Sequence, residues 1–165
     1  MEYTSIGQLQ KAISTALKVA VSYLVEKVYN KLIEFIDEDI YSYVPHTTNP
    51  EFFKPYERTY EFRNKAWDRD IKSAADKIVG EIFYDGMKMS YNPAKSQHGS
   101  KWGEDRRARL AEILNNTIKN PNSYFDDWDY DRQPWPMPYW DHTIQWLESE
   151  WDSLVKEALS FVGLK

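Results

Sequence analysis

The chain has no cysteine among its 165 residues. Disulfides, thiolate nucleophiles and cysteine-built zinc sites are therefore excluded, and redox logic says nothing about the compartment. Glycine is sparse, with 6 residues scattered along the chain, so no glycine-rich loop is present to cradle a phosphate. No Gly-x-Ser-x-Gly elbow occurs either. There is no basic excess: the formal net charge is −5, which argues against a general nucleic-acid binder. No long apolar run is present. The apolar positions of the first 40 residues are interrupted by Lys18, Glu26, Lys27, Lys31 and Glu34, so no membrane span and no membrane partner are expected. Glu2 stands where a signal peptide would need basic residues, so no such peptide is expected.

Between Gly7 and Pro45 there is neither proline nor glycine. Nothing local stops a helix there. Leu9, Ile13, Leu17, Val21, Leu24, Val28, Leu32, Ile36 and Ile40 recur at helical spacing and predict one buried face. Ser5 with Gln8 matches a capping box. The expected helix covers about 5–43; roughly 37 residues would span about 55 Å. That exceeds what one small domain can cover. Val19, Val25, Tyr29 and Ile33 lie off the main stripe, and this surplus apolar surface points to contacts with other subunits. The alternative is a long core helix of a monomer. Asp37, Glu38 and Asp39 crowd the unfavourable negative end of the helix dipole, so they are expected to be solvated or to face a channel or a basic partner.

Pro45, Pro50 and Pro55 mark an extended loop. A hairpin is expected over about 67–85: a strand near Trp67–Ser73, a turn around Ala75 and Asp76, and a strand near Lys77–Tyr84 rich in β-branched and aromatic residues. After a long irregular stretch a helix is expected over about 104–118, with Arg106, Arg107 and Arg109 on its exposed side. The C-terminal helix, about 139–162, shows a regular stripe of Trp140, Ile144, Leu147, Trp151, Leu154, Ala158 and Phe161. That spacing puts Trp140 and Trp151 in the core, and Gly163 falls where a left-handed cap would end the helix. The fold class is α+β: a long N-terminal helix and a C-terminal helix packed with a small antiparallel β-sheet. Residues 1–165 read as a single domain.

Candidate chemistry is thin. His46, His98 and His142 have no partner at metal-ligand spacing, and Asp141 and His142, adjacent on a helix, point about 100° apart. Asp127, Asp129 and Asp131 begin like a calcium loop, but Arg132 and Pro138 stand where it needs Gly and Glu. No catalytic residue, metal site or cofactor is expected. Aromatic residues make up 16% of the chain, enough to keep open a binding module for carbohydrate or peptide. Trp102, Trp128 and Trp135, in expected loops, are its candidate platforms. A hydrolase built on Asp and His groups is a third reading.

Taken in order, several short motifs resemble a known family. They are Tyr56-x-Arg58-Thr59, Phe83-Tyr84-Asp85-Gly86, His98-Gly99-Ser100, Gly103-Glu104-Asp105-x-Arg107, Leu110 to Asn115, Arg132-x-Pro134 and Tyr139-Trp140-Asp141. The chain from about Tyr41 onward resembles the neck and tail-component proteins of tailed phages, the head–tail connector and tail-completion class. In that family the Arg-Thr pair is often followed by Gly; here Tyr60 stands in its place. The resemblance implies a non-enzymatic virion protein in a homo-oligomeric ring. Its neighbours would be portal, adaptor or tail-tube proteins, and DNA would be only passing cargo. It would assemble in the host cytoplasm and reside in the virion neck or tail. It also implies structural roles for Tyr56, Arg58, Thr59, Tyr84 and Asp85, and Arg58 is expected to pair with a carboxylate that holds its loop on the sheet. Leu17, Leu24, Val28 and Ile33 of the long first helix, and Trp102 in its loop, are the other expected interaction residues.

Overall fold

The computed structural model describes residues 5–42, 60–74, 76–90, 107, 110–115 and 138–164. Helix α1 spans Ile6–Ile36 and runs on into a π-helical turn, Asp37–Tyr41. Ser5 caps its start, its hydroxyl accepting from the Gln8 N–H at 3.3 Å. The short helix α2, Glu61–Asn64, leads into strand β1, Trp67–Ser73, and strand β2, Ile78–Tyr84. Helix α3 is Leu110–Asn115 and helix α4 is Tyr139–Phe161. The remainder of the helix expected over about 104–118 lies outside the described residues, apart from Arg107. The architecture is α+β, with two long helices and one two-stranded antiparallel sheet among the described residues.

The hairpin forms where alternation and β-branching placed it. Trp67 pairs with Tyr84 and Ser73 with Ile78, and the Ala74 N–H donates to the Lys77 carbonyl across the turn. Its register puts Trp67, Arg69, Ile71, Ile78, Gly80, Ile82 and Tyr84 on one face, because side chains alternate along a strand. That face lies on α1. Arg69 forks onto Glu26 at 2.6 and 2.9 Å and covers the Tyr29 ring at 4.1 Å. At Gly80 the two elements touch: a Cβ there would stand 2.2 Å from Val25 Cγ2 and 3.2 Å from Val21 Cγ1. Only a residue without a side chain lets the hairpin come this close.

Helix α4 runs antiparallel to α1. Its first turn meets the π-turn, where His142 Nδ1 lies 2.9 Å from Asp39 Oδ2, and its last turn meets Tyr23, whose ring stacks on Phe161 at 4.8 Å. Pro138 offers no side-chain cap to α4. Asn115 of α3 supplies one, its carbonyl oxygen accepting from the Trp140 N–H at 3.0 Å. At the other end Gly163 takes φ 75°, and the Leu164 and Gly163 N–H groups bond back to Leu159 and Ser160. This is the glycine-terminated Schellman arrangement expected from the sequence.

The core joins Leu32 and Ile36 of α1, Phe62 of α2, Ala66 and Trp67, Met89, and Tyr139 of α4. The C-terminal stripe is corrected in part: Leu154 and Ala158 are buried and Trp140 packs against the core as expected, whereas Trp151, expected in the core, is exposed with Ile144 and Phe161. The buried positions of α4 are Tyr139, Thr143, Leu154 and Ala158, and Trp151 is 50% exposed. The reason is the entry of the helix. Tyr139 turns inward, its hydroxyl donating to the Ala111 carbonyl at 2.9 Å, so Trp140 moves to the flank and stacks on Trp67 at 5.6 Å. Ile144 and Trp151 follow Trp140 on that flank and stay at the edge of the interface. The acidic run is solvated as expected at Glu38, which is exposed, and at Asp37, whose side chain is 38% exposed while pairing with Arg63 at 3.0 Å. Asp39 is the exception, 17% exposed and 2.9 Å from His142.

Gly80→Ala should destabilise the fold by about 1–3 kcal/mol, the usual range for overpacking, although alanine is the better strand residue in open surroundings. Urea unfolding of Gly80→Ala, Val25→Ala and the double variant checks this. The pair should be strongly non-additive, with Val25→Ala relieving part of the Gly80→Ala loss.

Candidate assembly surface

Helices α1 and α4 differ in length, 31 residues against 23. Their antiparallel packing starts at the π-turn, so the difference emerges at the other end. There α4 finishes against Tyr23: Phe161 stacks on its ring, and Glu157 accepts from its hydroxyl and pairs with Lys27 at 3.1 Å. The first part of α1, residues 6–19, projects past this clamp for about 20 Å at 1.5 Å per residue. Along it only Ala12 and Ala16 are even half-buried. The apolar stripe nevertheless continues: Ile6, Leu9, Ile13 and Leu17 are 76, 40, 41 and 37% exposed, whereas Leu32 and Ile36 farther along are 0% exposed.

The predicted interaction residues that the structure describes fall into three groups. Leu17 lies on the projecting arm. Leu24 and Val28 are half-buried, and Ile33 packs against the core cluster. Of the apolar surplus read from Val19, Val25, Tyr29 and Ile33, the last three are half-buried against the chain's own hairpin and core, whereas Val19 is 44% exposed, so the surface that stays open lies toward the N-terminus. Tyr84 and Asp85 close the end of the sheet. The Tyr84 ring packs against Phe62 and Trp67, and its hydroxyl donates to the Arg107 carbonyl. The Asp85 side chain accepts from the Met87 N–H at 3.1 Å, and its own N–H donates to Ala66 at 2.7 Å. Tyr56, Arg58, Thr59 and Trp102, and the Arg58 ion pair, lie outside the described residues, as do Trp128 and Trp135.

An open groove lies at the opposite end of α4, between Phe35, Glu38, Asp39, His142, Gln145 and Trp146. Sequence reasoning weighed His142 only against its neighbour Asp141. Its partner is Asp39, distant in sequence and presented by the π-turn. A residue pair across two helices leaves no local spacing by which to find it. Ser149 also borders the groove, but its hydroxyl donates to the Trp146 carbonyl at 2.8 Å. The pair therefore pins the π-turn to α4. Among the described residues no His, Asp and Glu group could hold a metal ion, and no helix is long and apolar enough to cross a membrane.

No protein-family model matches the chain, and no curated protein and no solved structure is significantly similar to it. The surface must therefore be judged on its own geometry.

The clamp that defines the arm has a pH signature. The Tyr23 hydroxyl, and then Lys27, hold the Glu157 carboxyl below its ordinary value of 4.5. A carboxylate depressed in the folded state contributes stability above its unfolded pKa and loses it as pH falls through the folded value. Thermal unfolding between pH 7 and pH 2 should show part of the acid destabilisation disappearing in Glu157→Gln. An unchanged acid limb would remove Glu157 from the clamp.

Proposed function

We propose that this protein is a non-enzymatic structural subunit that assembles into a homo-oligomeric ring, of the head–tail connector, neck or tail-completion class of tailed-phage virion proteins. The observation that carries the assembly reading is the projecting arm of α1, with Ile6, Leu9, Ile13 and Leu17 in helical register and exposed. Fully burying a large apolar side chain is worth about 1.5–3 kcal/mol, and contact with another subunit would recover the fraction of this that the exposed part of each stripe residue still forgoes. The virion class comes from the motif resemblance, and one backbone feature supports it. Tyr60 stands where that family often has Gly, and it adopts φ 53°, ψ 18°, the left-handed conformation that glycine enters freely. Its neighbours in this reading are portal, adaptor or tail-tube proteins. The acidic balance, −5 overall, suits a conduit that does not hold passing DNA.

The groove beside Trp146 favours a second reading, a binding module for carbohydrate or peptide. An aromatic ring next to Gln145 and Glu38 offers both a stacking face and polar groups. Concentration-dependent quenching of tryptophan fluorescence by a sugar panel would support it.

Light scattering coupled to size exclusion, with negative-stain images of the same peak, tests the lead reading. Closed rings with a central hole are expected. Leu17→Glu should weaken assembly by about 10–100-fold while leaving the helical circular dichroism unchanged. A monomer at every concentration counts against a self-assembling ring.

A further inference from the structure

The arm has a counterpart on the same chain. Ile144 and Trp151 lie seven residues apart on the exposed flank of α4 and so share one side of the helix. The carboxylates Glu148, Glu150 and Asp152 are all exposed around them, and no Lys or Arg occurs between His142 and Lys156. The arm has the opposite character. From Ser5 to Val25 the only charged side chains are Lys11 and Lys18, and the positive end of the α1 dipole adds to them.

We propose that the α1 arm of one copy docks on the Ile144–Trp151 flank of α4 in a second copy. The proposal rests on the assembly reading above and names its two surfaces. Continuity is the first argument. Ile13 and Leu17 precede Ala20 and Leu24 by seven residues, so the exposed stripe is the extension of the side of α1 that α4 covers beyond the clamp. A helix like α4 is the occupant that prolongs this packing. Charge is the second argument. Lys11 and Lys18 leave the arm segment positive, and Glu148, Glu150 and Asp152 leave this part of α4 negative, so arm against flank brings segments of opposite sign together where arm against arm or flank against flank brings like signs. Because α1 is one continuous helix, the arm cannot turn back onto its own flank. The contact is therefore between different patches of two copies, the head-to-tail kind that closes into a ring when the rotation permits.

The absence of cysteine makes the test clean, since every introduced thiol is unique. Both Leu17 and Trp151 are exposed, so Leu17→Cys and Trp151→Cys chains should keep the fold, which circular dichroism checks. The two full-length chains are mixed at assembling concentration and treated with a short bis-maleimide. Mixed 17–151 products several-fold above either homotypic product are expected, and adding Glu148→Lys, Glu150→Lys and Asp152→Lys to the Trp151→Cys chain should abolish them. Dominant 17–17 or 151–151 products in a sample that still assembles would overturn this contact and leave the ring reading standing. The unsubstituted chain staying monomeric at every concentration would overturn both. An arm found instead on anionic phosphatidylserine vesicles, with no cross-linked protein, would also overturn the contact.

Discussion

The aromatic cluster around Trp67 is the constraint on which the other packing depends. Its indole stacks on Trp140 at 5.6 Å and meets Phe62, Tyr84 and Tyr139 edge-on or tilted at 5.3–6.0 Å. These rings come from α2, both strands and α4, and they close over Leu32 and Ile36 of α1. Large rings supply much buried surface per residue and keep few rotamers. That suits a hairpin which, with two strands among the described residues, could not stand alone. The hydrogen bonds at the rim follow the rings. Tyr139 reaches Ala111, Tyr84 reaches Arg107, and Asn115 caps α4, so α3 is held by the same residues that fix the entry of the C-terminal helix.

With one end of the α1–α4 pair fixed at this cluster, the different lengths of the helices decide the shape of the other end. The Tyr23, Lys27, Glu157 and Phe161 clamp marks where mutual coverage stops. Beyond it α1 keeps its helical register without a partner in the described chain. An isolated helix of this length is marginal in water, and most helical stability in proteins comes from a packed face. The arm therefore combines exposed apolar side chains with a helix that gains from being covered, which is the physical basis for reading the protein as an assembly subunit.

The π-turn shows how two local conflicts were resolved together. Carboxylates at the end of a helix are unfavourable against its dipole. Here the backbone widens at Asp37–Tyr41 and directs Asp37 to Arg63 and Asp39 to His142, so each charge finds a partner on another element. The Asp39 pair also ties the first turns of α4 to the end of α1, beside the aromatic cluster.

Among the described residues, local pattern was enough to determine the two long helices and the hairpin. The stretch free of Pro and Gly, the Ser5 cap, the alternating β-branched run over Ile78–Tyr84 and the Gly163 stop are short-range features, and each appears where its spacing placed it. Even the apolar excess of α1 was legible as too much surface for one small domain to cover. Which part of that surface stayed open was decided only in three dimensions. Val25 and Tyr29 are half-buried because Gly80 lets the hairpin descend onto that side of α1, Ile33 packs against the core cluster, and Ile6 to Leu17 are open because α4 ends at Tyr23. The same holds for Trp151, turned to the flank by the inward rotation of Tyr139, and for the Asp39–His142 pair. Periodicity reports that a side chain has an apolar side to bury; only the positions and lengths of the neighbouring elements decide whether anything is there to bury it.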